Sequence, residues 1–129
     1  MNVLVANDGK PHSEKAAHYA IVLAKVLRCN LYAIYVVSPK AELEKDKNIR
    51  NGMRVLGRTK IKAAEIGVEL NTLLEAGDPC DTIMEAAERI EADMIIMGSS
   101  GKTGMKAKFS GSTAESIYKA ADCTVTVVR

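Results

Sequence analysis

From end to end the chain alternates between short apolar runs and longer segments whose apolar residues recur every three or four positions. Asn2 to Ala6, NVLVA, is the first run, and the turn-type cluster Asn7-Asp8-Gly9 ends it, so it reads as a buried strand closing in a loop. From about Pro11 to Arg28, the residues Ala17, Ala20, Ile21, Ala24 and Leu27 make the stripe of a helix packed on a sheet. Leu31 to Val37 is the second strand. After Ser38-Pro39, a charged segment carries Ile49, Met53, Leu56 and Ala63 at a helical period, weakened by Gly52 and Gly57. Val68, Leu70, Thr72 and Leu74 alternate as in a strand, which Gly77 closes. Asp78-Pro79 then supplies an N-cap and a proline at the first helical position, ahead of the stripe Ile83, Ala86, Ala87 and Ile90. Met94 to Met97 is a fourth strand, Gly111 to Ala121 a fourth helix, and Thr124 to Val128 a fifth strand.

Strands apolar on both faces, alternating with helices, imply an α/β fold: one open parallel sheet with helices covering each side. No internal repeat, linker or low-complexity block interrupts the order. At 129 residues the chain fits a single domain, 1–129, able to bury one core without disulfides or metals.

Composition narrows the function classes. A net charge of +2 is too small to argue for nucleic acid or an anionic membrane, and with no Trp and one Phe the usual base-stacking surfaces are missing. No apolar run reaches the roughly 18 residues of a membrane span, and no segment has the order of a signal peptide, so a cytoplasmic protein is expected. Cys29, Cys80 and Cys123 are odd in number and widely spaced, which suggests buried thiols rather than a disulfide framework or a zinc site. His12 and His18 are the only histidines, and His18 falls inside a helical pattern, where an imidazole is more often packed or surface-exposed than a ligand.

In open parallel sheets, ligands sit outside the carboxyl ends of the strands, where the strand order reverses. Two strand ends carry residues suited to this, Asn7-Asp8-Gly9 and Gly98-Ser99-Ser100-Gly101. The second runs on as GKTG and invites a P-loop reading, but G-x-x-x-x-G-K-[ST] would need glycine where Ile96 stands. The segment still brings Lys102, Lys106 and Lys108 together without an acid, and reaches Gly111-Ser112 at a helix start, whose free N–H groups and dipole suit an anionic ligand. Ser112-Thr113-Ala114-Glu115 is equally a capping box that satisfies the helix without any ligand, and the local chemistry does not separate the two.

Gly98, Gly101, Gly111 and Ser112 match G-x2-G-x9-G-[ST], and with Asp8-Gly9, Gly77-Asp78-Pro79 and Ala92 to Ser99 the chain resembles the universal stress protein family in its ATP-binding branch. The resemblance covers nearly the whole chain. It implies a Rossmann-like five-stranded sheet of order 3-2-1-4-5, with the first and fourth strands adjacent at the switch point. It further implies that Asp8 lies near the ribose and phosphates, with Ala6, Asn7, Val36 and Met97 along the adenine. Gly98, Ser99 and Gly101 would then approach the ribose and phosphates, and Gly111, Ser112 and Thr113 would hold phosphate oxygens. The expected ligand is ATP, with Mg²⁺ as a possible companion, and the expected assembly is a homodimer through Thr124 to Val128, an edge open to pairing. After Asp8-Gly9 the chain has Lys10-Pro11-His12-Ser13, where serine commonly follows in the family.

Function is read as a nucleotide-dependent switch in stress response, acting on an unidentified protein partner. Hydrolysis would be slow at most, because no paired acids, partnered nucleophile or arginine finger stand near the loop, although Asp8 could meet a metal and His12 could act as a base. The competing class is a nucleotide-independent dimeric interaction module of the same fold. An enzyme cleaving ATP between the α- and β-phosphates would carry S-G-G-x-D-S after the first strand, where this chain has Asn7-Asp8-Gly9-Lys10. A flavin site on such a sheet has no residue to single it out.

Overall fold

The computed structural model describes residues 1–38, 42–99 and 113–129. In chain order these form β1 (Asn2–Ala6), α1 (Pro11–Leu27), β2 (Asn30–Val37), α2 (Glu42–Ile66), β3 (Leu70–Ala76), α3 (Pro79–Arg89), β4 (Met94–Gly98), α4 (Thr113–Ala120) and β5 (Thr124–Val128). The strands make one parallel sheet of order β3-β2-β1-β4-β5. β1 is central, registered Val3 to Leu31 on one side and Val3 to Met94 on the other. β3 and β5 are its edges. This is the doubly wound, Rossmann-like arrangement that the alternation and the resemblance imply.

Strand side chains alternate between two faces, and each face fills its own core. Val3, Val5, Leu31, Ala33 and Ile96 pack with α1 and α2 through Ala20, Ile21, Ala24, Val55 and Ala63. Leu4, Ile34, Ile95 and Met97 pack with α3 and α4 through Ile83, Ala86, Ala114 and Ile117. Asp78 accepts a hydrogen bond from the Asp81 N–H at 3.0 Å and Pro79 opens α3, as the dipeptide predicts. α1 ends at Leu27, one residue before the boundary read from periodicity, because Arg28 turns left-handed at φ 55°.

The reading of α2 needs correction. Met53, expected on its apolar stripe, is 62% exposed, and the buried line is Val55, Leu56, Thr59 and Ala63. Gly52 lies on that inward side: a Cβ there would meet Tyr35 Cδ1 at 2.6 Å and Leu74 Cδ1 at 2.7 Å, so its missing side chain lets the helix approach β2 and β3. Val68, expected in the third strand, is buried just ahead of it. The three cysteines are half-buried rather than fully enclosed. The start of the fourth helix at Gly111 and Ser112, and with it the Ser112 end of the capping box, lies outside the described residues.

Candidate functional site

At the carboxyl ends of β1 and β4, a cleft of about 220 Å³ opens between the tips of the strands and the first turns of α1, α3 and α4. Its apolar wall is made by Ala6, Ile34, Val36 and Met97 from the strand ends, with Ile83 and Ala114 from α3 and α4. All six belong to the core side covered by α3 and α4, so the cleft continues that core outward to solvent. Its polar rim is Asn7, Asp8, His12, Ser13, Ser99 and Thr113. The N-terminal ends of α1, α3 and α4 border it through His12, Pro79 and Thr113, and helix starts carry partial positive charge.

The loop after β1 is organised by its own side chains. Asn7 is 1% exposed. Its N–H donates to the Ile34 carbonyl at 3.0 Å, and its Oδ1 accepts from the Gly9 N–H at 2.9 Å. Its Nδ2 donates to Thr59 Oγ1 on α2 at 3.2 Å, so the carboxamide is turned toward α2 and what it offers the cleft is backbone. Asp8 is exposed at the rim, with Oδ1 accepting from the Lys10 N–H at 2.9 Å. Lys10, the N-cap of α1, makes no side-chain cap, so no N-cap side chain covers that helix end.

Gly98 sits where the first turn of α1 packs tightly on β4. A Cβ on it would fall 2.4 Å from the His12 carbonyl oxygen and 3.0 Å from the Ser13 nitrogen. Its lack of a side chain is thus required by the protein's own packing, a reason the loop's glycine pattern did not reveal. Beyond it, the Ser99 N–H donates to the Val128 carbonyl at 2.8 Å, which fixes the departing chain to β5.

Of the residues expected to hold a ligand, Ala6, Asn7, Asp8, Val36, Met97, Gly98, Ser99 and Thr113 all line this one cleft. Gly101, Gly111 and Ser112 lie outside the described residues. Ile34, Pro79, Ile83, His12 and Ser13 join the lining without having been singled out as binding residues. Ile34 and Ile83 read from sequence only as core, and nothing local distinguishes a core isoleucine from one at the mouth of a cleft.

Burial, reinforced by Asp81 and Asp78, pushes the Cys80 thiol up. Burial does the same at Cys123, where Asp122 and Asp93 add to it and a backbone hydrogen bond opposes it. Both shifts run away from the thiolate, the form that makes a cysteine a nucleophile. Among the described residues, no group of three His, Cys, Asp or Glu side chains is placed to hold a metal ion. No described helix is long and apolar enough to cross a membrane. A larger hollow, about 490 Å³, opens at the opposite end of the sheet by Lys25, Arg28 and Asn71. It lies at the amino ends of β2 and β3, the end of an open parallel sheet opposite to the one where ligands sit, so the smaller cleft is the better candidate site.

A doubly wound parallel sheet whose reversal point, between β1 and β4, opens into a cleft bordered by helix starts defines a Rossmann-like protein with a candidate site at its switch point. The family model for universal stress proteins matches residues 1–129, and the chain belongs to the universal stress protein family. It is 38% identical over 137 residues to a universal stress protein of Methanocaldococcus jannaschii, covering 98% of this chain and 81% of that relative. The structure of a universal stress protein from Lactobacillus plantarum superposes with a TM-score of 0.87 at 26% identity, covering 100% of this chain and 97% of that one. Two more distant structures share the fold and hold nucleotides. One, a universal stress protein in complex with cAMP, has a TM-score of 0.84 at 21% identity and covers 100% and 97% of the two chains. The other, from Archaeoglobus fulgidus in complex with dAMP, has a TM-score of 0.80 at 20% identity and covers 100% and 98%.

Proposed function

We propose that this protein binds an adenine nucleotide, ATP in particular, in the cleft between β1 and β4, and that occupancy regulates its contact with a partner protein in a cytoplasmic stress response. The observation that carries this reading is the convergence of eight motif-derived residues on one cleft with an apolar base-sized wall and helix starts at its rim. Ala6, Val36 and Met97, joined by Ile34 and Ile83, suit the flat apolar faces of adenine. Asp8 suits the ribose hydroxyls, and Thr113 with the start of α4 suits phosphate oxygens. The cleft is smaller than the roughly 300–1,000 Å³ of sites that enclose whole drug-sized ligands. The described walls thus fit a base and sugar, and the phosphate end falls to Gly101, Gly111 and Ser112, which lie outside the described residues. The nucleotides held by family members of the same fold support the choice of adenine.

The protein is proposed to act as a binder rather than a fast catalyst. Mg²⁺ would accompany the phosphates, with Asp8 the one carboxylate in the cleft's lining among the described residues. The test is to purify the protein without added nucleotide, denature it, identify any released small molecule by mass spectrometry, and titrate the emptied protein with ATP and AMP. Released adenine nucleotide, or a Kd in the micromolar range, about −8 kcal/mol, is the expected result. No release and no binding would overturn the reading in favour of a nucleotide-independent module. Turnover of about 10 per second would overturn the switch in favour of an enzyme.

β5 forms an open edge of the sheet from Thr124 to Val128, and an unpaired edge is a template for a second strand. The assembly proposed is a homodimer formed there. Light scattering at micromolar concentration is expected to give twice the 13.9 kDa chain mass, and a value near 13.9 kDa would count against it.

A further inference from the structure

We infer that Thr59, on α2 and away from the cleft, is a positioning residue for the nucleotide site, acting through Asn7 to hold the loop that presents Asp8. This rests on the nucleotide-binding reading above. Asn7 and Thr59 are both 1% exposed. The Thr59 hydroxyl donates to the Val55 carbonyl at 2.8 Å, which leaves its oxygen lone pairs free to accept from Asn7 Nδ2 at 3.2 Å. Asn7 Oδ1 then accepts from the Gly9 N–H at 2.9 Å. The result is a relay of donations that runs one way, from the Gly9 N–H through Asn7 and Thr59 to the Val55 carbonyl, with Asp8 carried between its first two members.

The relay explains the choice of side chains. Asn7 must donate toward α2 and accept from Gly9 at the same time, which a carboxamide does and a carboxylate does not. A second contact fixes the distance: a Cβ on Gly9 would meet Val55 Cγ2 at 2.8 Å, so Val55 already lies against the loop one helical turn before Thr59. Gly9 has φ 85°, which sets the direction in which the chain leaves Asp8 toward α1. α2 therefore touches the Asn7-Asp8-Gly9 turn at two points and serves as its template. Exposed Asp8 owes its place to this buried pair together with the Lys10 N–H that it accepts from at the rim.

Thr59→Val removes the hydroxyl and keeps the shape, whereas Thr59→Ser keeps the hydroxyl and loses a methyl group. ATP titration of the emptied proteins is expected to give about tenfold weaker binding for the valine variant and binding within about twofold of the parent for the serine variant, the rescue that identifies the hydroxyl as the cause. In the nucleotide-free state, amide hydrogen exchange at Gly9 and Lys10 should quicken in Thr59→Val and not in Thr59→Ser. Unchanged ATP affinity in Thr59→Val, or a serine variant as weak as the valine variant, would overturn the inference. If Thr59→Val does not fold, Thr59→Ala is measured against Thr59→Ser by the same criteria. Failure of the parent protein to bind ATP or AMP would instead overturn the nucleotide reading, and the positioning role would fall with it. In that case the exchange result still reports whether the relay orders the loop.

Discussion

Gly98→Ala is expected to lower the stability of the protein by about 3 kcal/mol, the upper end of what forced overpacking costs, and Gly98→Val by more. The reason is geometric. A methyl group on Gly98 would stand 2.4 Å from the His12 carbonyl oxygen and 2.6 Å from its carbon, and these are backbone atoms that cannot swing aside. Relief requires the first turn of α1 to lift from β4, which also displaces His12 and Ser13 from the cleft. Denaturant unfolding of the two variants should show the graded loss, and the alanine variant should bind ATP more weakly than its residual stability alone would require. If Gly98→Ala unfolds at the parent's midpoint, α1 is not seated against β4 as described, and the cleft must be redrawn.

A comparable loss is expected from either of two neighbouring residues, on opposite sides of the sheet. Ile95 and Ile96 are both fully buried, Ile95 in the core with α3 and α4, Ile96 in the core with α1 and α2. Truncation to alanine removes buried methyl groups and leaves a cavity, at a cost of about 2–5 kcal/mol each. Although adjacent in the chain, the two side chains belong to separate cores with no shared partners, so the losses should add to within about 0.5 kcal/mol. The sum is a large part of the roughly 5–15 kcal/mol that holds a typical domain together, so the double variant should be unfolded or nearly so at room temperature. Equilibrium unfolding of the two single variants decides the matter. A negligible effect from one would mean that its face of the sheet is not a core.

The succession of strands and helices was legible because it depends on local signals repeated along the chain, whereas the sheet order, and with it the meeting of the two loops in one cleft, was implied by the family resemblance. A strand that ends in Asn7-Asp8-Gly9 and one that ends in Gly98-Ser99 declare themselves by composition, and Asp78-Pro79 announces α3 by cap chemistry alone. What stayed hidden depends on which residues meet. Periodicity read Met53 as inward and Gly52 as a weakness, because a hydropathy pattern cannot register glycine as a contact. In the fold, Gly52 lies against Tyr35 and Leu74, while Met53 faces solvent. Thr59 looked like any polar helix residue, since its partner Asn7 is 52 positions away. Gly98 was legible as a glycine at a strand end, but its reason, the His12 carbonyl, belongs to a different segment.

The central position of β1 has a further consequence, for how the molecule comes together. β1 meets β2 after one helical crossover, but it meets β4 across most of the chain: Asn2 and Asp93, bonded at the foot of the two strands, are 91 positions apart. Joining such distant segments costs more loop-closure entropy than joining near ones, and topologies that depend on these joins fold slowly. The cleft lies on that seam, with Ala6 and Asp8 on one side and Met97 and Ser99 on the other. No contiguous part of the chain contains it. The cleft comes into being only when the two halves close, and a nucleotide bound there as proposed would fasten the strand pairing that spans the most chain among the described strands.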